Sequence, residues 1–326
     1  FETPFQRFEV TFSDNSCMDL DGVNNRIYLW ESLDRHFILE PSSSDLVERM
    51  KNVLRGLKPK FISANRIWEE QDGQMKEHID LCVNEIISSV NRKKESFLRN
   101  GEVLDTSLPY RVLEEVREGN PYKSADEINQ EIHRIEDRRN EYYDVGLVQK
   151  RERHLYEKPF EVSADSSPDL LRMMTLYVRD AWSKYGVCDS LYNELVLLRR
   201  IVNEDHQYSN KKLRYSFGNR VNPITFELPN GKSIPLNALS SGEKNDFIMF
   251  CELIFNSRAN TIVLLDEPEI SMHIAWQQTI IDELLEIAKM NNFQILVSTH
   301  SPSIVGDHWD YVVEMQEPNG EGASQS

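Results

Sequence analysis

The chain has 326 residues, 40% of them apolar, enough to bury one substantial core with an appendage, and its length alone suggests two domains. A net charge of −17 and an isoelectric point near 5.0 exclude a non-specific coat on nucleic acid, because such binding draws on neutralised phosphates, although a local basic face is still permitted. Cys17, Cys82, Cys188 and Cys251 have no C-x-x-C or metal-like spacing and read as free thiols of a reducing compartment; no apolar run approaches the ~20 residues that cross a bilayer, so a cytoplasmic chain with no membrane contact is expected.

In chain order, residues 5–12 read as a strand, and Lys60-Phe61-Ile62 as another, followed by the polar pair Asn65-Arg66. From residue 69 the pattern turns helical. Met75, Ile79, Cys82, Val83, Ile86 and Val90 recur at helical spacing across residues 74–97, which predicts an amphipathic helix. Residues 104–122 look loop-like. Ser124-Ala-Asp-Glu127 is a capping-box pattern opening a second helix through Ile128, Ile132 and Ile135. After a further loop at 156–167, Ser167-Pro168-Asp169 opens a third helix that runs past Leu191, Leu195, Leu198 and Val202, with only Gly186 to bend it. Heptads are not sustained, so a short bundle is expected rather than a long coiled coil. Three basic groups, Arg134 with Arg138 and Arg139, Lys150 with Arg151 and Arg153, and Lys211 with Lys212 and Arg214, could form a face for nucleic acid. Acids lie in or beside the first two, which favours solvated helix faces.

Thr225-Phe-Glu-Leu, Pro-Asn230-Gly231-Lys and Ser-Ile-Pro-Leu predict a β-hairpin, with Asn-Gly supplying positive φ at the turn. Next, Leu239-Ser240-Ser241-Gly242-Glu243-Lys244 leads into the helix-like run Phe247, Phe250, Leu253, Ile254. Unsatisfied N–H groups at such a helix start make an anion seat. Taken alone, the same residues describe an ordinary Ser N-cap supported by Glu243. Thr261-Ile-Val-Leu-Leu-Asp266-Glu267-Pro268 is an apolar run ending in two carboxylates, which reads as a strand covered on both faces delivering acids to its carboxyl end, where Mg²⁺ and an attacking water would suit them. Phe293-Gln-Ile-Leu-Val-Ser-Thr-His300-Ser-Pro302 is another buried strand ending in a histidine at the same sheet edge. Residues 316–326 form a polar tail expected to be disordered.

Together, in this order, these motifs resemble the C-terminal half of an ABC-class ATPase head, over residues 212–315. Leu239 to Glu243 looks like the signature, Ile262 to Glu267 like Walker B, Glu269 to His273 like the loop that follows it, and Ser298 to Pro302 like the switch-histidine segment. The wording LSSGEK, LLDEPEISMH and STHSP is closer to bacterial defence and repair ATPases, the group containing the Septu protein PtuA, than to transporters. The resemblance implies an α/β head with an inserted α-helical arm: residues 1–68 and 206–315 as the two parts of the head, 69–205 as the arm, and 316–326 as the tail. It implies ATP and Mg²⁺ as cofactors. Asp266 would hold the metal shell, Glu267 would orient or deprotonate the attacking water, and His300 would sense the γ-phosphate. Leu239, Ser240, Ser241, Gly242 and Glu243 would meet the nucleotide of an opposing subunit, and Ser271 would belong to the loop after Walker B. Head-to-tail ATP sandwiching implies a homodimer or higher homo-oligomer. Asn65 stands where relatives carry a Q-loop glutamine; it either plays that part or caps the arm's first helix.

No G-x-x-x-x-G-K-[ST] occurs: Gly231-Lys232-Ser233 has Phe226 in place of the first glycine. A P-loop preceding residue 1 is the expectation. No acidic nuclease domain follows His300, so by the same resemblance a nuclease would act in trans, an HNH endonuclease like PtuB. A reverse transcriptase with its RNA–DNA hybrid would join in retron-linked versions. The alternative is a DNA-handling ATPase of the SMC or double-strand-break-repair kind, in which the arm tethers DNA; a long heptad arm and a basic head groove would mark it.

Overall fold

The structure, a computed structural model, describes residues 7–11, 17–21, 26–32, 35–39, 60–63, 67–71, 74–149, 161–205, 210–217, 223–270, 272, 274 and 276–312. Asn65, Ser271, His273, the basic group at residues 150–153 and the polar tail lie outside them.

β1 (Arg7–Thr11), β2 (Cys17–Asp21), β3 (Arg26–Ser32) and β4 (Arg35–Leu39) form an antiparallel meander in sequence order, with a register shift between Trp30 and Ser32. β5 (Lys60–Ile62) leaves this sheet for another, and β6 (Trp68–Gln71) pairs with β7 (Gln74–Glu77) as a hairpin. The expected amphipathic helix therefore starts at His78, not at Gln74.

Helix α1 (His78–Glu118) is 41 residues long and buries Ile79, Cys82, Ile86 and Val90, the stripe expected from their spacing. It does not stop at residue 104: the segment expected as loop is helical through Pro109. A proline there removes one backbone donor and crowds the preceding turn. Nearby side chains hold that turn in place, with the Ser107 hydroxyl donating to the Val103 carbonyl at 2.7 Å and Arg111 donating to the Leu104 carbonyl at 2.7 Å. Arg111 also reaches Asp180 at 2.5 Å on the neighbouring helix, so tertiary contacts override the local propensity.

α2 (Ala125–Asp144) opens with the expected capping box between Ser124 and Glu127. The expected third helix divides into α3 (Pro168–Gly186) and α4 (Asp189–Asp205), with Val187 and Cys188 between them. The break at Gly186 is stabilised from α2: the Tyr142 hydroxyl lies 3.2 Å from the Tyr185 carbonyl and 2.5 Å from Asp189. Ile128, Ile132 and Ile135 of α2 pack with Leu171 and Val178 of α3 as a small core of their own.

β8 (Lys212–Tyr215), β9 (Ile224–Glu227) and β10 (Ser233–Pro235) form an antiparallel sheet in the order β10-β9-β8. The expected hairpin is present, but only Gly231 of its turn has positive φ, at 76°. Pro229 fixes its own φ on the negative side, and Gly231 N–H donates to the Leu228 carbonyl at 2.9 Å, so the loop is a turn followed by one left-handed glycine.

The site-bearing layer follows. α5 (Ser241–Phe255) leads to β11 (Ile262–Asp266), α6 (Ile280–Asn291), β12 (Gln294–Ser298) and the short α7 (Pro302–Val305). β11 lies between β12 and β5, parallel to both, so strands from before and after the helices share one sheet. Val263, Leu265 and Ile62 point into the main core, which α1, α4, α5 and α6 complete. The other face contradicts the expectation of a strand covered on both sides. Phe61, 63% exposed, and Leu296, 55% exposed, flank Leu264 in register, and among the described residues nothing buries them. The overall class is α/β, with a parallel strand trio, antiparallel sheets and helices.

Candidate functional site

Parallel strands end on the same side, and the register of this sheet fixes which residues meet there. Asp266, the last residue of β11, sits opposite Ser298, the last of β12. Glu267 extends the ladder by one step, its N–H donating to the Ser298 carbonyl at 2.8 Å, and then turns the chain with φ of 38°. That left-handed conformation is unusual for a glutamate and is sustained only where surroundings over-determine it. The turn that follows is closed by Ile270 N–H donating to the Glu267 carbonyl at 3.2 Å.

From β12, two residues past its end, His300 places Nε2 3.7 Å from Oε1 of Glu267. The imidazole is almost entirely exposed, whereas the glutamate is partly covered. An acid fixed by backbone and a cation-capable donor open to solvent thus converge on one sheet edge, beside the Asp266 carboxylate. Such an edge can hold a hard cation, orient a water and donate to an anionic oxygen.

Sequence reasoning missed the fastening beneath this edge. Thr299, between Ser298 and His300, donates its hydroxyl to Oε1 of Glu269 at 2.5 Å and accepts the Ser301 N–H at 3.0 Å. Ser301 in turn lies 3.3 Å from the Gln277 amide oxygen. The loop after β11 and the loop after β12 are therefore tied together next to Glu267 and His300. The pattern E-x-S…T-H-S carried the residues, but nothing in their spacing indicated the pairing.

The segment Leu239–Glu243 belongs to a different element. Leu239 is buried in the core, Ser240 and Ser241 are exposed and Gly242 is half-buried at the start of α5. Ser240 is the N-cap: its N–H and hydroxyl lie 2.9 Å and 3.0 Å from Oε2 of Glu243, and Glu243 N–H returns to the Ser240 hydroxyl at 3.3 Å. Glu243 itself is buried and is gripped through both oxygens by Lys211 at 2.7 Å. In this chain Glu243 is thus engaged by the cap and by Lys211. α5 buries apolar side chains around most of its circumference, so its start is fixed by the core as well as by the cap.

The candidate basic groups are largely paired with acids where they are described. Arg134 pairs with Glu131, Arg138 with Glu141 and Asp189, Lys211 with Glu243, and Arg214 with Glu227.

The SMC head domain from Thermotoga maritima is 18% identical, with 34% of this chain covering 38% of that one at a TM-score of 0.24. An SMC head bound to the C-terminal winged-helix domain of ScpA is 20% identical, with coverage of 38% and 39% and a TM-score of 0.26. The Pyrococcus furiosus Smc head with an extended coiled coil, bound to the C-terminal domain of ScpA, is 13% identical, with coverage of 90% and 68% and a TM-score of 0.29. The chain thus spans about two fifths of the length of the first two. No curated protein matches it. The family model for the AAA ATPase domain matches residues 11–305, nearly the whole sequence, and the chain belongs to that family.

Proposed function

We propose that this chain is the nucleotide-binding and hydrolysing regulatory subunit of a two-component antiphage system, in which it gates an HNH endonuclease acting in trans. The observation that carries the ATPase part is the convergence of Asp266, Glu267 and His300 on one edge of the parallel sheet, in a chain of an ATPase family. The fit to Mg²⁺ and ATP is chemical: a strand-end carboxylate is the donor a hard cation takes, and the edge beside it carries an acid and an imidazole. Bound Mg²⁺ and ATP would supply an electrophilic phosphoryl group with its charge partly neutralised. Asp266 would hold the metal shell, Glu267 would hold the water and receive its proton, and His300 would donate to the terminal phosphate.

The start of α5 would face the nucleotide of a second copy, which makes the working unit a homodimer. Since the Ser240 hydroxyl is engaged with Glu243, the backbone N–H groups of Ser241 and Gly242 carry the anion contact in this reading. Ser271 and Asn65 are assigned to the same site by their sequence neighbours. Residues 1–68 and 206–315 are taken as the head and 69–205 as the arm.

The gating part rests on what the chain's own groups are committed to. In this reading Asp266, Glu267 and His300 are assigned to nucleotide, and cleavage chemistry is assigned to a partner. In a retron-linked version a reverse transcriptase with its hybrid would join. No helix among the described residues is long and apolar enough to cross a membrane. A second reading, a DNA-handling ATPase, is favoured by one observation, the length of α1, which exceeds the sequence expectation. The paired arginines and lysines weigh against it. The deciding experiment is nucleic-acid cleavage by purified protein with ATP and Mg²⁺, with and without an added HNH endonuclease. Cleavage that needs the partner and fails with Glu267→Gln supports the proposal, whereas ATP-dependent DNA retention with no effect on the partner supports the second reading.

A further inference from the structure

At the root of α1, away from the carboxylate and histidine edge, three side chains of different chemistry close on one another. His78 begins α1, Cys82 stands one turn later on the same face, and Glu252 comes from α5. His78 Nε2 is 3.3 Å from Oε1 of Glu252, Cys82 Sγ is 3.8 Å from the same oxygen, and all three ligand atoms lie within 4.8 Å of one another. Around a tetrahedral zinc, with bonds of about 2.0–2.3 Å, neighbouring ligand atoms are about 3.3–3.6 Å apart. The His78–Glu252 edge already fits and the Cys82–Glu252 edge is slightly long, with the His78–Cys82 edge within 4.8 Å.

We propose that His78, Cys82 and Glu252 form a thiolate-containing site for a divalent metal of the zinc class, joining the first turns of α1 to α5. The surroundings are those of a built site. Lys60 of β5 pairs with Oε2 of Glu252, which leaves Oε1 for the metal and fixes the carboxylate's orientation. Asn256 donates to Oε1 at 2.7 Å and would turn aside on loading. Burial would raise the Glu252 carboxyl, but the His78 hydrogen bond and the Lys60 charge outweigh it and hold the group well below the usual carboxylate range. The neighbouring Cys251 thiol is hydrogen-bonded to Cys82. Cys82 is buried while His78 and Lys60 are partly exposed, so entry is from the side of the histidine. Binding displaces the Cys82 proton to solvent, and His78 binds through neutral Nε2.

The test uses the full chain, reduced with a phosphine, stripped by chelator and dialysed against cobalt(II). The expected result is about one equivalent bound, with a thiolate-to-cobalt charge-transfer band in the near ultraviolet and tetrahedral visible bands that zinc abolishes. Oxygen ligands such as Asp266 produce no such charge-transfer band, which separates this site from the nucleotide edge. Cys82→Ser should lose the band and His78→Gln should lose the tetrahedral bands, while Cys188→Ser, a buried thiol at the junction of α3 and α4, should keep both. The proposal is overturned if the folded wild-type chain shows no charge-transfer band, or if the band survives Cys82→Ser.

Discussion

Glu267 and His300 face each other across 3.7 Å from the ends of two parallel strands, with the glutamate in a left-handed backbone conformation and the histidine open to solvent. Two substitutions at Glu267 separate its chemistry from its strain. Glu267→Gln keeps size and hydrogen-bonding capacity but removes the proton acceptor, and should reduce ATP turnover by about 10²–10⁴-fold with nucleotide binding retained. Glu267→Gly should abolish turnover while raising thermal stability by roughly 1 kcal/mol, because glycine adopts positive φ without penalty. Equal turnover by wild type and Glu267→Gln would remove the residue from the mechanism.

A composite site predicts complementation between two mutants of this one chain. Mixed dimers of Glu267→Gln and Gly242→Asp would hold one site with both defects and one with neither. Random mixing should return about a quarter of the wild-type rate. Recovery of nothing, with mixed dimers demonstrated by differential tagging, would place the start of α5 in the service of its own subunit.

The capped start of α5 predicts an ordered series of stabilities. Ser240→Ala removes the cap and should cost about 1 kcal/mol. Lys211→Met strips the counter-ion from a buried carboxylate and should cost more, up to about 3 kcal/mol. Arg214→Met breaks a pair whose members are both well exposed and should change stability by under about 1 kcal/mol. Urea unfolding of the three variants gives the ranking directly, and a Lys211→Met protein as stable as Arg214→Met would contradict it.

Glu194 of α4 has its pKa raised to about 7 by desolvation, partly countered by the charge of Lys93 on α1. The folded state therefore binds a proton that the unfolded chain releases at lower pH. The stabilisation is complete below the ordinary glutamate range and is lost as pH rises through about 7. Glu194→Gln should accordingly flatten that decline and unfold at higher temperature than wild type at pH 8. Parallel pH profiles for the two proteins would show that Glu194 does not titrate in this way.

What could be read in advance followed chain periodicity and turn chemistry. The α1 stripe from Ile79 to Val90, the Ser124 and Ser240 caps, and the parallel strands ending in Asp266 and Ser298 each rest on residues close in sequence. The misreadings came where a distant partner outweighs a local signal. Pro109 continues a helix because Ser107 and Arg111 hold the preceding turn and Asp180 holds Arg111. Gly186 ends one helix rather than bending it, in a setting where Tyr142 reaches both Tyr185 and Asp189. Lys211 read as part of a basic face and is instead the counter-ion of Glu243. The Thr299–Glu269 hydrogen bond and the grouping of Cys82 with Glu252, 170 positions apart, were invisible because no spacing rule spans such a separation.

The contacts of Glu252 with Lys60 and His78 give α5 a mechanical consequence. α5 is embedded in the core along its length, so it has no room to tilt without carrying its neighbours, and Glu252 attaches it to the first turn of α1 through His78. A helix of 41 residues extends about 60 Å at 1.5 Å per residue, so a rotation of about 5° at that root would sweep its far end through about 5 Å. The chain thereby contains a pivot and a boom of unequal lengths, able to turn a small adjustment where α5 begins into a several-fold larger displacement at the distant tip.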